Sequence, residues 1–315
     1  MLPSYIETYK SGELTKKIKV AYDLLKSCRI CPWNCDVNRL EGELGICKTG
    51  NLPIIADYMP HFGEEAVLVG ENGSGAIFIS YCNLKCVFCQ TYEISHLGEG
   101  TPVSLERLAE IMIFLQNQGC HNINFISPSH VVPQILAALS LAIERGLNIP
   151  LVYNTGGYDS VEILRLLEGV FDIYMPDFKY WDERVAERFS KVRHYPKVAK
   201  AAIKEMHRQV GDLILDERGI AKRGLIVRHL ILPEGLAGTR DVLRFLAREI
   251  SPNTYVNIMG HYRPCGQAEK YPPLNRKIKR EEYREAIRIA KEEGINRLDQ
   301  THNYLYPTIF NQRLI

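Results

Sequence analysis

Residues 73–89 read GSGAIFISYCNLKCVFC. A Gly-Ser-Gly turn opens the stretch, a short apolar run occupies 76–81, and Cys82, Cys86 and Cys89 follow in C-x3-C-x2-C spacing. An apolar run of this length after a turn suits a strand buried on both faces, as in a parallel sheet. Three thiolates on one tight loop can ligate three irons of a cube and leave the fourth with an open position. Structural zinc and a purely electron-carrying cluster take four protein ligands instead. The spacing alone leaves zinc and iron both open.

Outward from this strand, apolar runs and amphipathic stretches alternate to about residue 300. A helix is predicted over 104–118, opened by the capping pattern Ser104-Leu-Glu-Arg and ended by Gly119. Strands follow at 122–126, 149–153, 171–175, 224–232 and 255–259. Between them lie helical stretches at 132–146, 161–167, 181–215 and 240–250, and 281–293 and a short piece at 296–298 come last. This order predicts an α/β fold. It is a partial (β/α)6 barrel of parallel strands, with an N-terminal cysteine-rich segment and a C-terminal helical tail. The expected division is a leader over 1–55, the barrel over 56–300 and a tail over 301–315. Polar residues gather just after the strands, at 82–89, 127–130, 154–157, 177–179 and 261–266, where the loops of parallel barrels converge on a site.

The 315 residues are 46% hydrophobic and 24% charged, enough to bury a sizeable core. Lys and Arg total 39 against 37 Asp and Glu, and a net charge of +2 provides no global field for nucleic acid. No membrane span or secretion signal is apparent, so a cytoplasmic location and no membrane partner are expected. Seven of nine cysteines fall in two groups, and their odd number and close spacing favour metal ligation over a disulfide framework. The first group is Cys28, Cys31, Cys35 and Cys47. It lies in a segment with too few apolar residues for its own core, so a metal held by four thiolates, zinc or a 4Fe-4S cluster, is expected to order it. Such a closed site is expected to lie apart from the chemistry unless the leader folds over the barrel mouth. Cys120 and Cys265 read as a buried thiol and a loop thiol, His229 as a satisfied interior histidine, and the basic run at 276–280 as a solvated face.

The cysteine loop, with a strand before it and Phe88 before its third Cys, is similar to the signature of the radical S-adenosylmethionine (SAM) superfamily. Its flanks at 73–82 and 89–95 resemble an iron-sulfur branch related to pyruvate formate-lyase activating enzymes. CRICPWNC at 28–35, Asn38-Arg39 and Gly45-Ile-Cys47 resemble that branch's leader. The resemblance covers most of the chain. It implies a 4Fe-4S cluster on Cys82, Cys86 and Cys89, with the amino and carboxylate groups of SAM on the fourth iron. One-electron reduction then yields methionine and a 5′-deoxyadenosyl radical that abstracts hydrogen, from a protein glycine as in activases or from a related C–H bond. A reductant such as ferredoxin or flavodoxin is implied, and a protein is among the implied substrates. Ser127, Ser129 and His130 stand where the superfamily often carries a Gly-Gly-Glu type segment that holds the methionine amino group. Asp177-Phe-Lys179 resembles the activases' Asp-x-Lys, and Arg228 before Leu232-Pro233 resembles their Arg, aliphatic run and Pro. With Asn154 these complete the implied cofactor contacts. Tyr262 and Gly266 also match, while Arg263 stands where a His is the pattern. The alternative is a non-enzymatic iron-sulfur or zinc protein that carries electrons or organises a complex.

Overall fold

The computed structural model describes residues 2–299. In chain order the elements are α1 (Ser4–Lys10), α2 (Glu13–Asp23), β1 (Ile54–His61), α3 (Ala66–Val69), β2 (Ser74–Ile79), β3 (Thr101–Pro102) and α4 (Leu105–Asn117). Next come β4 (Ile123–Ile126), α5 (Val132–Glu144), β5 (Leu151–Thr155), α6 (Val161–Leu166), β6 (Ile173–Pro176), α7 (Glu183–Ser190) and α8 (Tyr195–Val210). The chain continues through β7 (Ile214–Leu215), β8 (Ala221–Leu230), α9 (Thr239–Phe245), β9 (Tyr255–Met259), α10 (Arg280–Glu292) and β10 (Arg297–Leu298).

The strands form one mostly parallel sheet in the order β10-β9-β8-β6-β5-β4-β2-β1-β3, with β7 paired to β8. The six expected strands are β2, β4, β5, β6, β8 and β9, and they lie side by side, all parallel. No pairing closes this path among the described residues, so the α/β sheet is open, as a partial barrel requires. Successive residues point to opposite faces. Tyr153 and Tyr174 accordingly join the main core, while Val152, Ile173 and Met175 form a second cluster with Leu68 of α3. No helix among the described residues is long and apolar enough to cross a membrane.

Two local readings need correction. Strand β1 was not expected; it pairs antiparallel with both β2 and the outermost β3 and is only partly buried, so it lacks the continuous apolar run that marks the parallel strands. The helical stretch 181–215 is two helices and a short strand. Lys191 and His194 both adopt positive φ, and Pro196 sits in the first turn of α8, where its fixed φ and missing N–H favour a helix start over a continuation. The expected tail at 301–315 lies outside the described residues.

The leader packs on the sheet's helices. Tyr5, Leu14, Ala21 and Leu25 are fully buried in the main core, and α2 packs on α5. Ser4 donates through its backbone N and Oγ to Asp172 Oδ1, both at 2.8 Å, and Tyr5 Oη donates to Ile149 O at 2.9 Å. The hydrophobic burial of each large side chain contributes about 1.5–3 kcal/mol to this docking.

Candidate functional site

A cavity of about 320 Å³ opens at the C-terminal ends of the parallel strands. Its wall includes Cys82, Cys86 and Cys89 from the loop after β2, Ser127 after β4, Asn154 at the end of β5, Asp177 and Lys179 after β6, and Arg228 in β8. Two residues at these strand ends adopt the left-handed region without being glycine: Tyr81 at φ 63° and Ser127 at φ 62°. Such conformations cost about 1–3 kcal/mol and cluster at functional sites.

Each thiol meets its own partners. Cys82 Sγ accepts from the Leu84 amide at 3.4 Å and faces the Ser127 hydroxyl. Cys86 Sγ lies 2.9 Å from Ser190 Oγ, which in turn meets Tyr180 Oη at 2.7 Å. Ser95 Oγ donates to Cys89 Sγ at 3.1 Å. Burial pushes the Cys86 thiol up to about 12, against the opposing pull of the Lys179 ammonium. All nine cysteines are free, and among the described residues no three His, Cys, Asp or Glu side chains converge in the geometry of a single bound ion.

Opposite the thiols lies a charge network centred on Arg228. Its Nε donates to Asp177 Oδ1 at 2.9 Å, its Nη1 to Glu64 Oε2 at 3.1 Å and its Nη2 to Asn154 Oδ1 at 2.6 Å. Lys179 Nζ donates to the other Asp177 oxygen at 2.5 Å. Burial raises the Asp177 carboxyl, but Arg228 and Lys179 together outweigh it and hold the group below its ordinary value. An arginine in a parallel strand is tolerable only with such partners, since an unpaired buried charge costs several kcal/mol. Gly157 makes the crossing beneath this network possible: its φ is 79°, and a Cβ there would lie 2.3 Å from Asp177 O. Gly157→Ala is therefore expected to destabilise the chain by about 2–4 kcal/mol, read from the denaturation midpoint at constant slope.

Ser129 and His130, two of the expected cofactor contacts, are turned away from the cavity. Ser129 Oγ donates to Asp159 Oδ1 at 2.6 Å, and His130 Nε2 meets Ser80 O at 3.0 Å. Ser127 takes the left-handed turn, and the 3-10 turn after it buries the next side chains between the strands. His229 is the satisfied interior histidine expected, bound to Phe178 O and Thr239 Oγ1. In the basic run Lys277, Lys279 and Arg280 are exposed, while Arg276 is half-buried and pairs with Glu282. The leader thiols Cys28, Cys31, Cys35 and Cys47 lie outside this cavity but beside its rim: Trp33 Nε1 donates to Asn83 O, next to Cys82, at 2.7 Å. This is the exception the expectation allowed, a leader folded against the barrel mouth, where Arg39 also donates to His130 O at 2.8 Å.

Residues 76–215 match the sequence profile of the Radical SAM superfamily. An uncharacterized protein of Methanocaldococcus jannaschii is 33% identical over 299 residues, covering 92% of this chain and 82% of that one. The chain therefore carries a radical SAM domain over residues 76–215. A radical SAM methyltransferase from Sphaerobacter thermophilus shares its fold, with a TM-score of 0.51 at 16% identity; the match covers 71% of this chain and 65% of that protein's length. The structure of anSMEcpe with bound AdoMet matches with a TM-score of 0.46 at 14% identity, over 68% of this chain and 57% of that one.

The match of residues 76–215 to the radical SAM profile implies a 4Fe-4S cluster and SAM. The residues present fit both groups. Three free thiols on one loop supply one donor for each of three irons, and the paired charges across the cavity match an amino acid's ammonium and carboxylate.

Sequence reasoning missed Glu64 and Glu65, which follow β1 and reach into the cavity from beneath. Glu65 Oε1 accepts from Asn257 Nδ2 at 2.8 Å, while Glu65 Oε2 and Asn257 Oδ1 are buried with no hydrogen-bond partner in the protein. Burial raises the Glu65 carboxyl, the charge of Arg228 offsetting only part of it. An acid with a raised folded-state value costs stability above its ordinary range of about 4, and that cost vanishes as pH falls below it. Glu65→Gln keeps the acceptor for Asn257. It should raise the melting temperature at pH 7 and leave it nearly unchanged at pH 4.

Proposed function

We propose that this chain is an activase-like radical SAM enzyme that abstracts hydrogen from an unreactive C–H bond, a protein glycine or a related substrate. The observation that carries this reading is that the three thiols after β2 and the Asn154–Asp177–Lys179–Arg228 network line one cavity at the strand ends. Cys82, Cys86 and Cys89 would hold the cluster, and SAM bound to its fourth iron supplies, on one-electron reduction, a 5′-deoxyadenosyl radical for the abstraction.

The chain's own residues bind and orient. Lys179 and Arg228 offer cationic donors for a carboxylate, and Asp177 and Asn154 offer oxygen acceptors for an ammonium group, each already positioned by its neighbours. The hydroxyls of Ser190 and Ser95 sit against Cys86 and Cys89 as hydrogen-bond partners for their sulfurs. Phe78, Ile126, Leu230 and Met259 supply apolar surface to the same cavity. No nucleophile or acid-base pair is needed for the first step, and the Ser129–Asp159 pair, sealed between strands, supplies none.

A reductant of the ferredoxin or flavodoxin type would deliver the electron, and a reducing cytoplasm would keep the thiols free. The test is anaerobic reconstitution with iron and sulfide, followed by SAM and dithionite. Formation of 5′-deoxyadenosine and methionine in equal amounts is expected. A fully reconstituted cluster that leaves SAM intact would favour an electron carrier instead.

A further inference from the structure

The four leader cysteines form a group of their own. Cys28, Cys31 and Cys47 are buried and Cys35 partly so, and the other three lie near Cys31. The backbone of Trp33 lies near Cys31 Sγ and that of Ile46 near Cys35 Sγ. Gly45 leaves space for one of them: a Cβ there would lie 2.8 Å from Cys35 Sγ. Asn34 and Asp36, on either side of Cys35, and Lys48, after Cys47, all adopt positive φ. Such backbone persists only where its surroundings over-determine it, and this segment has little core of its own to do so.

Arg39 is the second, independent observation. It is 1% exposed, yet among the described residues it pairs with no carboxylate. Its Nη2 donates to Gly50 O at 2.9 Å and its Nη1 to His130 O at 2.8 Å, and Nη1 also faces Cys28 Sγ at 3.9 Å. A guanidinium stays charged under all ordinary conditions, and burying it without an anion costs several kcal/mol. Four thiolates around a divalent ion, or around a 4Fe-4S core, carry a net charge of about −2, the anion this cation lacks.

We propose that Cys28, Cys31, Cys35 and Cys47 hold a metal centre as four thiolates, that Arg39 is its charge partner, and that the centre anchors the leader on the barrel mouth. A 4Fe-4S core spreads four thiolates over four irons and so fits thiols that do not converge on a single ion, whereas zinc would have to draw them together. Arg39 ties the site to the turn after β4 through His130 O, and Trp33 ties it to the loop after β2 through Asn83 O. The inference is independent of SAM cleavage, and its test is built to stay so.

The probe is metal content of the full chain carrying Cys82→Ser, Cys86→Ser and Cys89→Ser together, purified anaerobically from cells supplied with zinc and iron. The expected result is about one zinc, or about four irons with matching sulfide, per chain. Should this variant not fold, the native chain and its Cys28→Ser/Cys31→Ser variant provide the same difference. Adding Arg39→Leu should weaken metal retention about 10–100-fold against a competing chelator, with Arg39→Lys restoring part of it. With Trp181→Phe as background, metal removal should shift Trp33 emission to the red and speed proteolysis within 1–55. A folded triple variant with neither metal, or a double variant whose metal content equals the native chain's, overturns the site. Unchanged retention in Arg39→Leu overturns the charge pairing.

Discussion

Cys86→Ser is expected to reduce 5′-deoxyadenosine formation to about a hundredth of the native rate or less, since even outer partners of metal ligands are worth 10–100-fold. Serine keeps the volume and the hydrogen bond to Ser190 Oγ, 2.9 Å from the native sulfur, so the Ser190–Tyr180 contact survives and the fold with it. The melting temperature and far-ultraviolet dichroism should change little while iron bound at the cavity is lost. Cys82→Ser and Cys89→Ser should behave alike, because the three thiols sit on one loop and each would hold a different iron. A Cys86→Ser protein that still cleaves SAM at the native rate would remove this loop from the chemistry. The readout is product by chromatography alongside iron content, which separates a lost cluster from an unfolded chain.

Arg228→Met carries the largest expected cost in stability, about 3–5 kcal/mol at pH 7, the range for breaking a buried ion pair by removing one partner. The methionine fills most of the volume but leaves Asp177 and Glu64 without the cation between them. The pH dependence follows from Asp177. In the native chain its carboxyl titrates below the ordinary value, so its contribution is present above about pH 4 and is lost as pH falls through the folded-state value. Without Arg228 that contribution disappears or reverses. The gap between native and variant should therefore be widest near pH 7 and narrow steadily toward pH 3, as followed by urea denaturation at several pH values. Affinity for SAM should fall as well, and a variant that binds it as tightly as the native chain would take Arg228 out of the cofactor site.

Reading by spacing and period served well where a motif sits on consecutive residues. The C-x3-C-x2-C loop, the capped helix at Leu105–Asn117 and the order of six apolar strands are local patterns, and they survive folding because each is enforced by its own turn, cap or burial. Ser129 and His130 show the limit. They lie two and three residues from Ser127, yet the left-handed turn at Ser127 sends their side chains into the strand layer, toward Asp159 and Ser80. Among the signals that were present but unread, a run of Ser127-Pro128-Ser129 in place of glycine already hinted that the turn would be tighter and more buried.

The sequence by itself determined the class of fold and the cavity's thiols: alternating strand and helix periods dictate a parallel sheet, and the C-x3-C-x2-C loop after its first strand places three cysteines at one strand end. Only the tertiary structure decided what faces those donors. Glu64 and Glu65 belong to a short segment with no motif and reach the cavity because β1 turns back along the sheet edge and α3 enters from beneath. The leader came to rest on the mouth because Tyr5, Leu14 and Leu25 bury against the barrel's helices, which sets Trp33 on Asn83 and Arg39 on His130. Contacts between residues 50 or more positions apart leave no trace in local periodicity. They follow from which surfaces are buried together, and burial is a property of the folded chain as a whole.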